Sequence, residues 1–135
     1  MTMLHFNHTA VLASALLQWL IALLWYSPIF FGGVWKSAID LPAESRMTRM
    51  IRSIIVALIG NLLVSFVLLH VIVWADVEGL RRTVLLSFGL WAGFIFAPFS
   101  AQYIYENRPF KLFAVNTGYW LVAILASCLL LIHMV

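Results

Sequence analysis

Amide and phenol side chains at Gln18, Tyr26, Asn61, Gln102, Tyr103, Asn116 and Tyr119 stand within long apolar runs or at their ends. Trp25 accompanies them, and Glu106 and Arg108 follow just outside. Such groups donate and accept hydrogen bonds but carry no charge at neutral pH. The chemistry open to them is recognition of a small polar or cationic solute, helped by aromatic faces, or hydrogen bonding to one another. Catalysis has little footing, because no nucleophile stands at a recognisable spacing from a base. The chain is therefore expected not to be an enzyme. Metal chemistry is equally unsupported: His5, His8, His70 and His133 form no ligand motif, and the pair His5 and His8 falls short of a zinc site. The single Cys128 offers neither a disulfide nor a C-x-x-C pair and reads as a packing residue. No cofactor is expected.

The elements that must position these groups are plain. Four apolar runs, residues 9–31, 53–75, 83–105 and 112–135, contain no Asp, Glu, Lys or Arg, and each is 23 or 24 residues long. At about 1.5 Å per residue a helix of that length just exceeds a hydrocarbon core of about 30 Å. The fold is therefore all-α: a polytopic membrane protein built as a four-transmembrane-helix bundle. It forms a single membrane domain over residues 1–135, with helices over about 4–31, 51–75, 83–105 and 109–134. The lipid bilayer is its first partner. The net charge of +3 does not indicate nucleic acid, because the basic residues sit beside membrane ends, where they hold topology. The first run lacks a basic leader and ends in Trp-Tyr-Ser-Pro, so it reads as a retained helix rather than a cleaved signal.

Orientation follows from the loops. Lys36, Arg46, Arg49, Arg52, Arg108 and Lys111 flank one side of the membrane, and only Arg81 and Arg82 flank the other. Six against two places the first and third loops in the cytoplasm and both termini outside. In this frame Trp25, Tyr26, Gln102, Tyr103, Asn116 and Tyr119 fall in the cytoplasmic half. Gln18 and Asn61 lie near the midplane, and Glu106 and Arg108 at the mouth. Glu106 reads as a headgroup-level ion pair with Arg108, Lys111 or Arg52, or as a proton or cation group.

Local breaks shape the helix ends. Pro28 and Gly32-Gly33 should kink the first helix near Ser27 and end it by Gly32, with a short interfacial turn around Trp35. Pro98 should kink the third helix. Ser53, Ala57, Asn61 and Ser65 repeat every four residues and should face other helices. Gly89, Gly93, Ala97 and Ala101 do the same on the third helix, a small-residue ridge that permits close backbone approach within the protein or between protomers.

Two stretches carry a resemblance. Trp25-Tyr26-Ser27-Pro28 with Phe31-Gly32 and Trp35, and Glu106-Asn107-Arg108-Pro109 with Leu112-Phe113 and Asn116-Thr117-Gly118-Tyr119, resemble the bacterial domain-of-unknown-function family 1761. The resemblance spans essentially the whole chain. It implies a small four-helix protein of the bacterial inner membrane and no particular activity. Two functions stay open: a cytoplasm-facing pocket that binds or passes a small polar or cationic solute, and an accessory protein that packs against a homo-oligomer mate or partner through the ridge.

Cysteines introduced by Ser45→Cys and Gly79→Cys should label from opposite sides of the membrane, Ser45→Cys from the cytoplasm. Labelling of Ser45→Cys by an impermeant thiol reagent on intact cells would reverse the topology.

Overall fold

A computed structural model describes residues 7–38 and 46–134, and these are helical apart from short turns. The chain runs α1 (His8–Trp25), α2 (Gly32–Ala38), α3 (Arg46–Trp74), α4 (Gly79–Trp91), a π-helical turn (Ala92–Phe96), α5 (Ala97–Tyr105) and α6 (Phe110–Met134). Four stretches are long and apolar enough to cross a membrane: His8–Trp25, Met47–Trp74, Gly79–Tyr105 and Phe110–Met134. The protein is an all-α membrane bundle.

Asn7 begins the first helix in two ways. Its Oδ1 accepts from the Ala10 N–H at 3.1 Å, and its Nδ2 donates to the Met134 carbonyl at 2.8 Å. One side chain thus caps α1 and ties it to the end of α6. The helix stops at Trp25, six residues before the expected end at Phe31. The cause is local. Pro28 disfavours helix at Ser27, whose hydroxyl turns back to the Leu24 carbonyl at 2.6 Å. The chain then folds over itself, with Phe31 N–H donating to Trp25 O at 3.0 Å and Gly32 N–H to Ser27 O at 2.9 Å. From there α2 leaves as a separate short helix packed on α6. The expected start at Leu4 and the loop around Pro42 lie outside the described residues.

A break in the third helix does fall at Pro98. The turn before it widens to π pairing, and the Ala97 N–H reaches the Ala92 carbonyl five residues back. The third span therefore stays continuous over Gly79–Tyr105 while its face rotates across the π turn.

Helix α6 is the axis of the molecule. It touches every other helix, whereas α3 packs chiefly on α1, and α4 on α6. Burial follows this order: 44% of the most apolar stretch of α6 is buried inside the protein, against 6% of the third span. The half of the core nearer Asn7 and Met134 is apolar, with Ala10, Leu68, Ile72, Ile124 and Leu131 in one cluster. The opposite half is aromatic, with Phe113 and Tyr103 against Trp35 and Phe99. On α3 the four-residue seam is only half used. Asn61 and Ser65 are buried, but Ser53 and Ala57 are exposed. The ridge Gly89, Gly93, Ala97 and Ala101 is exposed along its whole length, so it makes no close approach within the chain. The reason is that α4 and α5 meet α6 through Thr83, Ser87, Trp91 and Tyr103, on another face.

The turn after α1 depends on Gly32. A Cβ there would run into the Tyr26 carbonyl and lie 2.8 Å from Ser27 backbone atoms, whereas Gly33 has open space. Gly32→Ala should lower unfolding stability in detergent by roughly 1–3 kcal/mol, and Gly33→Ala should be neutral or mildly stabilising. Equal melting of the two variants would show that the turn is not sterically closed.

Candidate functional site

The polar groups gather at two levels, joined by Tyr119. At the level of the turn after α1, Asn116 of α6 is the hub. Tyr26 donates its hydroxyl to Asn116 Oδ1 at 2.7 Å, and Asn116 Nδ2 donates to the Tyr103 hydroxyl at 2.8 Å. One amide therefore links the turn after α1 to α5. Aromatic rings enclose it: Tyr26 lies 5.7 Å from both Trp35 and Tyr119, and Tyr103 lies 5.4 Å from Phe113.

Tyr119 reaches toward the midplane, where its hydroxyl donates to the main-chain carbonyl of Gln18 at 3.2 Å. There the Gln18 amide donates to Ser65 of α3 at 2.9 Å and to Ser127 of α6 at 3.0 Å. Ser65 in turn donates to Ser14 at 2.9 Å. Three helices are cross-linked at one depth by neutral groups.

Two tryptophans complete the attachment to α6. Trp25 Nε1 donates to the Val115 carbonyl at 2.9 Å, and Trp91 Nε1 to the Thr117 carbonyl at 2.8 Å. Trp25 also explains a glycine. A Cβ on Gly118 would lie 3.1 Å from its ring, so the indole sits flat against α6 only where no side chain intervenes.

Of the residues singled out from sequence, Tyr26, Tyr103, Asn116 and Tyr119 come together, with Trp25 beside them. Gln18 and Asn61 lie in the deeper level, on facing helices. Gln102 and Glu106 do not join either group. Gln102 is exposed and donates to Glu106 Oε1 at 3.3 Å. Successive helical residues are about 100° apart, so α5 cannot turn both Gln102 and Tyr103 inward. Glu106 pairs with Arg108 at 2.8 Å, both partly exposed, and the Arg108 guanidinium lies 5.5 Å from the Tyr103 ring centroid. The rim is thus a small ion pair resting on an aromatic ring, and an exposed pair of this kind adds little stability.

Sequence reasoning did not place Ser14, Trp35, Trp91 or Thr117 in the site, although Trp35 and Thr117 stand in the two family motifs. Ser14 stands four residues before Gln18, a spacing that places both on one face. Nothing in the sequence distinguishes Trp91 from a lipid-facing tryptophan. Among the described residues, no three His, Cys, Asp or Glu side chains gather as a metal ligand set would require.

Asn116→Leu takes the partner from two part-buried hydroxyls at once and should cost about 1–3 kcal/mol of unfolding stability in detergent. Gln102→Leu, on the exposed side of the same level, should stay within about 0.5 kcal/mol. A reversed order would mean that the hub on α6 is not what holds this end together.

Residues 9–132 match the family described as Protein of unknown function (DUF1761), and the chain belongs to that family. No curated protein and no solved structure matches it.

Proposed function

We propose that this member of the family is an accessory membrane protein that docks another transmembrane helix along the ridge Gly89, Gly93, Ala97 and Ala101. The observation that carries the reading is the outward placement of that ridge: all four residues are exposed, and a Cβ added at Gly89 or Gly93 meets nothing within 4 Å. Small residues four apart allow two helix backbones to approach closely, which is where helix association in lipid finds its packing energy. A ridge of this kind is complementary to itself, so a second copy of the chain is its simplest occupant. The proposed role is non-enzymatic. It operates in the bacterial inner membrane with both termini outside, an orientation supported by the six-to-two division of Lys and Arg.

The pocket reading rests on a different observation, the aromatic ring around Asn116 with Glu106 at the rim. Its support is thinner because the groups are already engaged. Asn116 is bonded on both sides, and Glu106 is paired with Arg108 and Gln102. A solute would have to displace these bonds to enter.

Gly93→Leu tests the docking role. The monomer should unfold within about 0.5 kcal/mol of the parent, since Gly93 is exposed and a Cβ there meets nothing within 4 Å. Self-association in lipid nanodiscs, followed by single-molecule photobleaching, should weaken at least tenfold, or about 1.4 kcal/mol. A parent protein that is monomeric at all densities, or a Gly93→Leu variant that associates equally well, would remove the ridge as a homotypic docking surface.

A further inference from the structure

Two amides near the bilayer midplane have hydrogen-bonding capacity that the protein does not use. Gln18 is fully buried, and both of its bonds, to Ser65 and Ser127, leave from Nε2. Among the described residues nothing donates to its Oε1. Exchanging the amide oxygen and nitrogen would not help, because the two serines would then meet the oxygen and leave the Nε2 hydrogens unpartnered. Asn61 of α3 is 5% exposed, and among the described residues its side chain makes no hydrogen bond. It stands one turn from Ser65, the residue that holds Gln18 at 2.9 Å.

A buried amide group left unmet costs about 1–3 kcal/mol in a protein, and more where the surroundings are hydrocarbon. Gln18 Oε1 is such a group, and the unused amide of Asn61 on the facing helix, one turn from Ser65, points to a shared partner. We infer that a single water molecule is bound between α1 and α3 and bridges Gln18 Oε1 to the Asn61 side chain. The length fits: a helical turn rises about 5.4 Å, and two hydrogen bonds of about 2.8 Å end to end cover the same span. The donor count fits as well. Gln18 Oε1 takes one water hydrogen, Asn61 Oδ1 takes the other, and the Asn61 amide can donate to the water oxygen, which gives the two to four partners a buried water requires. The ligand is neutral, since neither apolar run that forms this level contains an ionised side chain to balance a charge. It is of water size, since Gln18 is fully buried and Asn61 nearly so. With it in place, the row Ser14, Ser65, Gln18 and Ser127 extends to Asn61 as one cross-link between α1, α3 and α6. This site is independent of the docking ridge, which lies on α4, the π turn and α5.

The test is water-edited solid-state NMR of the full-length, 15N-labelled protein in deuterated-lipid bilayers. Gln18 and Gln102 are the only glutamines, which makes their side-chain amides separable by a Gln102→Glu variant. The Gln18 and Asn61 side-chain amides should receive magnetisation from water at mixing times close to those of exposed Gln102. The backbone amide of Leu131, in the dry apolar core, should lag severalfold behind. In Asn61→Leu, with folding verified by circular dichroism, the water signal at Gln18 should be lost. Build-up at Gln18 and Asn61 as slow as at Leu131 would overturn the inference. So would polarisation arriving from protons other than water, or a Gln18 signal that survives in folded Asn61→Leu. If Asn61→Leu does not fold, Asn61→Ala takes its place, and the parent protein alone already decides whether the amides are hydrated.

Discussion

Inside a bilayer no solvent is available to satisfy a polar group, and the arrangement of this protein follows from that constraint. Every amide, hydroxyl or indole N–H brought into the apolar spans has to find a partner on another helix, on its own backbone or in a bound molecule. Helix α6 supplies most of those partners: Asn116 for Tyr26 and Tyr103, Ser127 for Gln18, and the carbonyls of Val115 and Thr117 for two tryptophans. Its central position is thus a consequence of hydrogen-bond accounting as much as of apolar packing. Interhelical hydrogen bonds in membranes average only about 0.6 kcal/mol each, so their value lies in fixing which faces meet.

The same constraint explains why the two ends of the bundle differ. At one end the helices are joined by apolar contacts and closed by Asn7, which spans from the start of α1 to the last turn of α6. At the other end, Pro28 ends α1 early, and the chain needs an extra element, α2, to cover α6. Aromatic rings fill this end, with the Tyr26–Asn116–Tyr103 bonds as its clasp. The third span contributes little to the core apart from Thr83, Ser87, Trp91 and Tyr103. That economy is what leaves its small-residue ridge turned outward.

The polar residues that looked alike in sequence divide by what they touch. Asn116 and Gln102 share a depth, but one is a hub and the other lies exposed beside Glu106. Depth can be read from distance to a helix end. Facing direction cannot, because it depends on which neighbour the helix packs against and, on the third span, on the π turn that rotates one half relative to the other. Gly118 gives a related lesson. Its role is to admit the Trp25 ring, and the two residues are more than ninety positions apart, a relation no local pattern contains.

The amino-acid sequence by itself determined the solvent, the number of spans, the helical class and the family. Each of these depends on summed properties: run length, absence of charge, and motifs quoted residue by residue. It also marked the breaks at Pro28 and Pro98, since a missing N–H acts wherever proline stands. Only the tertiary structure decided what the breaks became, a folded-back turn in one case and a π turn in the other. It also decided that Gly89 and Gly93 face away from the bundle while Gln18 and Asn61 face into it. The physical reason is that period and spacing define a face of a helix, but which face is buried is set by the neighbouring helices competing for it.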